Sequence, residues 1–146
     1  MTFDYGLLLY RLSEEVAIIV FRKKDNTVRV LLGTRSLRLT DSLLGERAGF
    51  AESQMISREK NSTPANKNIS LVDLIIEEGR QFNSDRVLMV HWLGKLSTPE
   101  ELEAAAEITK HEQDRWKDFA DYDEIQQAQF LSSIKSKEIP GVEVIG

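Results

Sequence analysis

Apolar residues in this chain fall in short β-branched runs through its first two thirds and at helical spacing near its end. Val16-Ala-Ile-Ile-Val-Phe21 and Val28-Arg-Val-Leu-Leu32 predict two strands, separated by Arg22-Lys-Lys-Asp-Asn26, where Asp25-Asn26 is turn chemistry. Gly6-Leu-Leu-Leu-Tyr10 is a shorter continuous apolar run and reads as an earlier strand buried on both faces. A helix is expected over about Asp41 to Ala48. Thr40 or Asp41 can accept from the free amides of its first turn, and Leu37, Leu44 and Ala48 lie near one face. Gly49 then takes the left-handed position beyond the helix, and Phe50 returns to the core. Ile69–Ile76 and Val87–Leu93 predict two more strands. Thr98-Pro-Glu-Glu101 is a capping box with proline at the first helical position, opening a helix through about Glu107. Ile125, Ala128, Leu131 and Ile134 keep helical spacing in a terminal helix from Asp121 to Lys137, which Pro140-Gly141 ends. Strands, a helix, more strands and then helices make an α/β domain with helices covering a sheet.

A length of 146 residues suits one domain, 1–146, and the polar stretch Lys60–Asn68 reads as a loop insertion inside it. The net charge of -5 argues against a nonspecific nucleic-acid or membrane-surface binder, although a local basic patch is compatible with it. There are no cysteines, so disulfides, zinc-thiolate sites and cysteine nucleophiles are excluded. Leu7–Tyr10 is too short for a signal segment, and no run reaches the roughly 18 apolar residues of a membrane span. The expectation is an intracellular, cytoplasmic protein without a membrane partner.

Two regions carry a resemblance. The opening Gly6-Leu-Leu-Leu-Tyr-Arg11 is one. The other joins His91-Trp-Leu-Gly-Lys-Leu-Ser-Thr-Pro-Glu100, His111-Glu-Gln-Asp-Arg-Trp116 and Asp123-Glu-Ile-Gln-Gln-Ala-Gln-Phe130. Together they resemble asymmetric diadenosine-tetraphosphate hydrolases of the Nudix superfamily. The resemblance implies an α/β/α sandwich around a mixed sheet, and a box, G-x5-E-x7-R-E-U-x-E-E-x-G-U, whose glutamates hold Mg²⁺. That metal neutralises the polyphosphate and generates hydroxide near neutral pH, and it needs hard oxygen ligands.

Ser42-Leu-Leu-Gly-Glu-Arg-Ala-Gly-Phe50 is similar to the second half of that box. Leu44, Glu46, Gly49 and Phe50 fit it. Leu43, Arg47 and, upstream, Thr34 stand where the family has carboxylates, so Glu46 alone survives of that set. Val72-Asp-Leu-Ile-Ile-Glu-Glu-Gly-Arg80 is a rival placement, offering Glu77 and Glu78, but its β-branched character reads as strand.

The chain is therefore expected to be a catalytically inactive, Nudix-like module for a nucleotide, a dinucleoside polyphosphate or a protein partner, or a subunit of a larger complex. The alternative is an active Mg²⁺-dependent hydrolase using Glu46 and Glu112 for catalysis and Glu46, Glu77 and Glu78 for metal; otherwise no cofactor is expected. Arg35, Arg38 and Arg47 are candidate phosphate clamps. Tyr10, Trp92 and Trp116 are candidate base-stacking groups. His91 and His111 are candidate acid–base or ligand-contacting groups. The plainer readings are a basic surface helix, core aromatics and surface histidines.

Overall fold

The computed structural model describes residues 2–146. Its six-stranded sheet has the order β4-β3-β2-β1-β5-β6, with β1 Val16–Arg22, β2 Val28–Thr34, β3 Asn68–Asp73, β4 Glu78–Asn83, β5 Val87–Gly94 and β6 Val142–Val144. Every strand pairing is antiparallel, not mixed as expected. The reason lies in the long connections. Helices α2 (Leu37–Leu44) and α3 (Ala48–Arg58) join β2 to β3, and α4 (Pro99–Trp116) and α5 (Glu124–Lys135) join β5 to β6. Each connection is two helices, out and back, so the chain re-enters the sheet at the end it left. A parallel neighbour needs a single crossover.

Helices lie on both sides of the sheet. On one side Val16, Ile18, Val20, Val30 and Leu32 pack with Leu39, Leu43, Met55, Ala105, Trp116 and Ile134 of α2–α5. On the other, Ala17, Ile19, Phe21, Leu31, Leu71, Phe82 and Val90 pack with Leu8 and Leu12 of a short first helix, α1 (Tyr5–Leu12). Strand β1 is consequently buried on both faces, which explains its unbroken apolar run.

That second face is concave. Strands β1 and β4 are separated by β2 and β3, yet the Phe21 and Phe82 rings lie 5.6 Å apart. A single 3₁₀ turn, Ser84–Arg86, carries the chain from β4 straight into β5. The sheet therefore curls into a partly closed barrel.

Several local expectations change. The run Gly6–Tyr10 is helical, because Asp4 caps it by accepting from the Leu7 amide at 2.8 Å while Leu8 and Leu12, four apart, are buried. Ser36, not Thr40 or Asp41, caps α2. The left-handed break comes at Gly45 (φ 59°), and Gly49 and an exposed Phe50 lie inside α3. The segment Ile69–Ile76 is not one strand. It stops at Asp73, whose Oδ1 accepts from the Ile75 and Ile76 amides, and Glu77 (φ 60°) completes the turn into β4. Helix α4 runs on past Glu107 to Trp116, and β6 follows Pro140-Gly141. The stretch from Ser62 to Lys67 is a loop between α3 and β3, as its composition indicates.

Candidate ligand-binding site

The residues singled out from sequence do not converge. Glu46 is exposed in a 3₁₀ turn, and Leu43 and Leu44 are core. Arg47 forms an ion pair with Glu77, and Glu78 lies 3.8 Å from Arg80. Glu112 accepts from Trp116 Nε1 at 2.9 Å and pairs with Arg115 at 2.7 Å, which makes it a structural anchor. Arg35 is spent on the Ser70 carbonyl and on Glu59, while Arg38 is exposed on α2. Among the described residues, no three His, Asp or Glu side chains gather in a way that could hold a metal ion.

The aromatics divide. Trp116 is 1% exposed, packed against Phe119 and Phe130 with centroids 5.0 and 4.7 Å away, so it has no face for a base. Trp92 is also buried: Arg11 covers its ring at 4.0 Å, and its Nε1 donates to Glu143 at 2.9 Å. It lines a cavity of about 450 Å³ with Phe3, Leu8 and Val144. Tyr10 is exposed on α1, and His111 is exposed on α4. His91 is half-buried. Burial holds its pKa below the ordinary range, with Glu112 pulling up and Arg115 pushing further down.

A different set of side chains does meet. Where β1 and β4 curl together, Lys23, Lys24, Arg29 and Arg86 ring a cavity of about 300 Å³ floored by Phe21 and Phe82. The register places Arg29 opposite Phe21, hence on the same concave face. Lys23 and Lys24 belong to the β1–β2 turn. Asp25 fixes that turn by accepting from the Thr27 amide and hydroxyl, bonds that hold its carboxyl below the usual aspartate range, the hydroxyl contributing most. Arg86 Nη1 donates to the Lys23 carbonyl at 2.8 Å and ties the β4–β5 turn to this one. None of the four cations makes an ion pair among the described residues. Four cations around one cavity, none of them in an ion pair, present positive charge that a bound anion can answer.

A second cavity, of about 400 Å³, adjoins the first and shares Lys23 and Arg29 with it. It exists because β3 pairs with β2 only at Gly33 and Thr34, so Val28–Val30 faces the turn before β4 across a gap. Arg80 and Asp73 line its far wall. Arg80 Nε is buried without a partner. Burial raises the Asp73 carboxyl above the ordinary range, against the opposing pull of the Ile76 and Ile75 amides and then of Arg80 and Arg29.

Sequence inspection read Arg22–Asn26 only as a polar turn and singled out none of these cations. Arg29, Arg80 and Arg86 join it through strand register and sheet curl, which local pattern does not carry. No protein-family model, curated protein or solved structure matches the chain.

Proposed function

We propose that this protein is a binding module for a phosphate-bearing ligand of the nucleotide class, one that holds its ligand without cleaving it. The observation that carries this reading is the ring of unpaired cations, Lys23, Lys24, Arg29 and Arg86, around one concave mouth. Clustered guanidinium and ammonium groups match phosphate oxygens in charge and in hydrogen-bond donors. The domain is proposed to be of Nudix type with its catalytic carboxylates lost. That kinship rests on the likeness around Trp92 and His111–Trp116, and the mouth does not depend on it.

Calorimetric titration with ATP and with inorganic tripolyphosphate tests the binding. Replacing Lys24 and Arg29 together with Gln is expected to weaken both ligands by tenfold or more, on the order of two charge-assisted contacts. Absence of binding at low salt would sink the proposal. Phosphate release from diadenosine tetraphosphate with Mg²⁺ or Mn²⁺, abolished in Glu46→Gln, would replace it with the active-hydrolase alternative.

Protein partnership is a second reading, favoured by Leu7 and Tyr10, exposed one turn apart on α1. Gel filtration showing a monomer that stays monomeric after Leu7→Glu, with no change in behaviour, would count against it.

A further inference from the structure

We infer that the free edge of β6 is a docking strand for an extended segment of another protein, one in which apolar residues are flanked by basic ones. The ladder shows why that edge is open. The Trp92 amide donates to the Gly141 carbonyl at 2.8 Å, and the Ile145 amide to the Leu88 carbonyl at 2.9 Å. Alternation along this antiparallel register turns the backbone groups of Glu143 toward β5 and those of Val142 and Val144 away from it. The Val142 amide is taken by the Ile139 carbonyl at 3.1 Å. The Val144 amide and carbonyl have no hydrogen-bond partner among the described residues. The opposite edge of the sheet is closed by α3: Arg58 donates to the Gly79 carbonyl at 3.2 Å, and Gln54 accepts from the Gly79 amide at 2.9 Å. An uncovered edge is a template for an added strand.

The surroundings fix what that strand carries. The cavity of about 450 Å³ opens beside β6 on the α1 side, walled by Phe3, Leu7, Leu8 and Trp92. Another, of about 580 Å³, opens on the α5 side, where Leu88 and Leu131 line it. Both reach Ile145. Side chains alternate across a strand, so a segment laid on β6 sends apolar residues to each side in turn. Charge selects the flanks. Asp4 and Glu143 line the first cavity, and neither forms an ion pair among the described residues. Each accepts one bond from within the chain, from the Leu7 amide and from Trp92 Nε1, and keeps lone pairs for a partner. Arg11, in the same wall, is held by Glu15 at 3.0 Å. Basic residues beside the apolar ones answer those two carboxylates. A second copy pairing through its own β6 brings another Glu143 to this edge, and like charges across a strand pair repel.

The test is fluorescence anisotropy of the full chain with the fluorescein-labelled peptide Lys-Ser-Val-Ile-Val-Thr-Lys. Two copies serve as controls, one N-methylated at its three central amides and one with Glu for both Lys. The parent peptide is expected to bind, and each copy to bind about tenfold more weakly or worse. Saturating peptide is expected to slow hydrogen exchange at the Val144 amide by about tenfold or more. Val144→Pro removes the outward donor while leaving the ladder bonds to β5, and is expected to weaken the peptide about fivefold. Asp4→Asn keeps a helix cap but loses a charge, and is expected to weaken the Lys peptide about threefold and the Glu copy not at all. No binding of the parent peptide at millimolar concentration, equal binding of the N-methylated copy, or unchanged exchange at Val144 would each overturn the inference. Sedimentation showing a dimer that Val144→Pro dissociates would give the edge to a second copy and overturn it as well. The N-methylated peptide leaves the protein itself unaltered, so that comparison decides even if thermal melts show Val144→Pro to be unfolded.

Discussion

Asp73 ends strand β3 by turning its carboxylate back onto two amides of the following turn, and it does so 7% exposed. Desolvation outweighs those bonds and the nearby Arg80 and Arg29, so the carboxyl titrates above the ordinary aspartate range. The folded state then takes up a proton more readily than the unfolded chain. The resulting stability is present at low pH and is lost as pH rises through the raised pKa. Asp73→Asn keeps an oxygen for both amides and removes the buried charge. It is expected to melt above the parent at pH 7, and the gap should close on acidification. A lower melting point at pH 7 would mean that the charge itself, and not the oxygen, secures the turn. Glu112 shows the same logic reversed. Glu112→Ala leaves the Trp116 indole N–H buried without its acceptor and is expected to cost about 1–3 kcal/mol in urea unfolding, most of it recovered in Glu112→Gln. Its place in a histidine-glutamate motif suggested chemistry, but its spacing four residues before Trp116 was the informative signal.

Among the elements, β1, β2, β5 and the start of α4 were legible because each is dominated by one local signal, a β-branched run or a capping box. Helix α1 was misread because a cap two residues upstream of the apolar run, Asp4, decided between strand and helix. Strand β4 was missed because Glu78-Gly-Arg-Gln-Phe-Asn83 is polar, and it is held by register with β3 more than by propensity. Gly79 belongs to this story. In the sequence it looked like the glycine of a metal-binding box, whereas in the fold it lets α3 cross close to β4. A β-carbon there would come within 2.5 Å of the Met55 amide nitrogen and 2.7 Å of the Gln54 carbonyl carbon. Helix backbone cannot step aside as a side chain can. Gly79→Ala is therefore expected to cost about 2–3 kcal/mol, read as a lower urea midpoint at unchanged slope. Little change would mean that α3 lifts off the sheet more easily than its packing indicates.

At the scale of the whole molecule, net charge conceals local clustering. The chain carries -5, yet Lys23, Lys24, Arg29 and Arg86 line one cavity. Their convergence was not legible, because residues as distant as Lys23 and Arg86 meet only after the sheet has curled. What remains open to sequence is the inventory of charges; what the fold adds is their address. No helix of the described residues is long and apolar enough to cross a membrane.

The three residues Ser84–Arg86 act as a clasp between the edge strand β4 and β5 of the curled sheet. A short glycine insert between Ser84 and Asp85 is expected to slacken it, letting Phe82 drift from Phe21 and the cations disperse, with phosphate affinity lost even if the hairpins persist. The same insert between Pro64 and Ala65, at an exposed loop tip, should leave affinity and melting point alone. Anyone wishing to splice a reporter into this protein thus has a door that opens freely and another that must stay shut, and they stand side by side at the open end of a single hairpin, where the Ser84 amide donates to the Lys67 carbonyl.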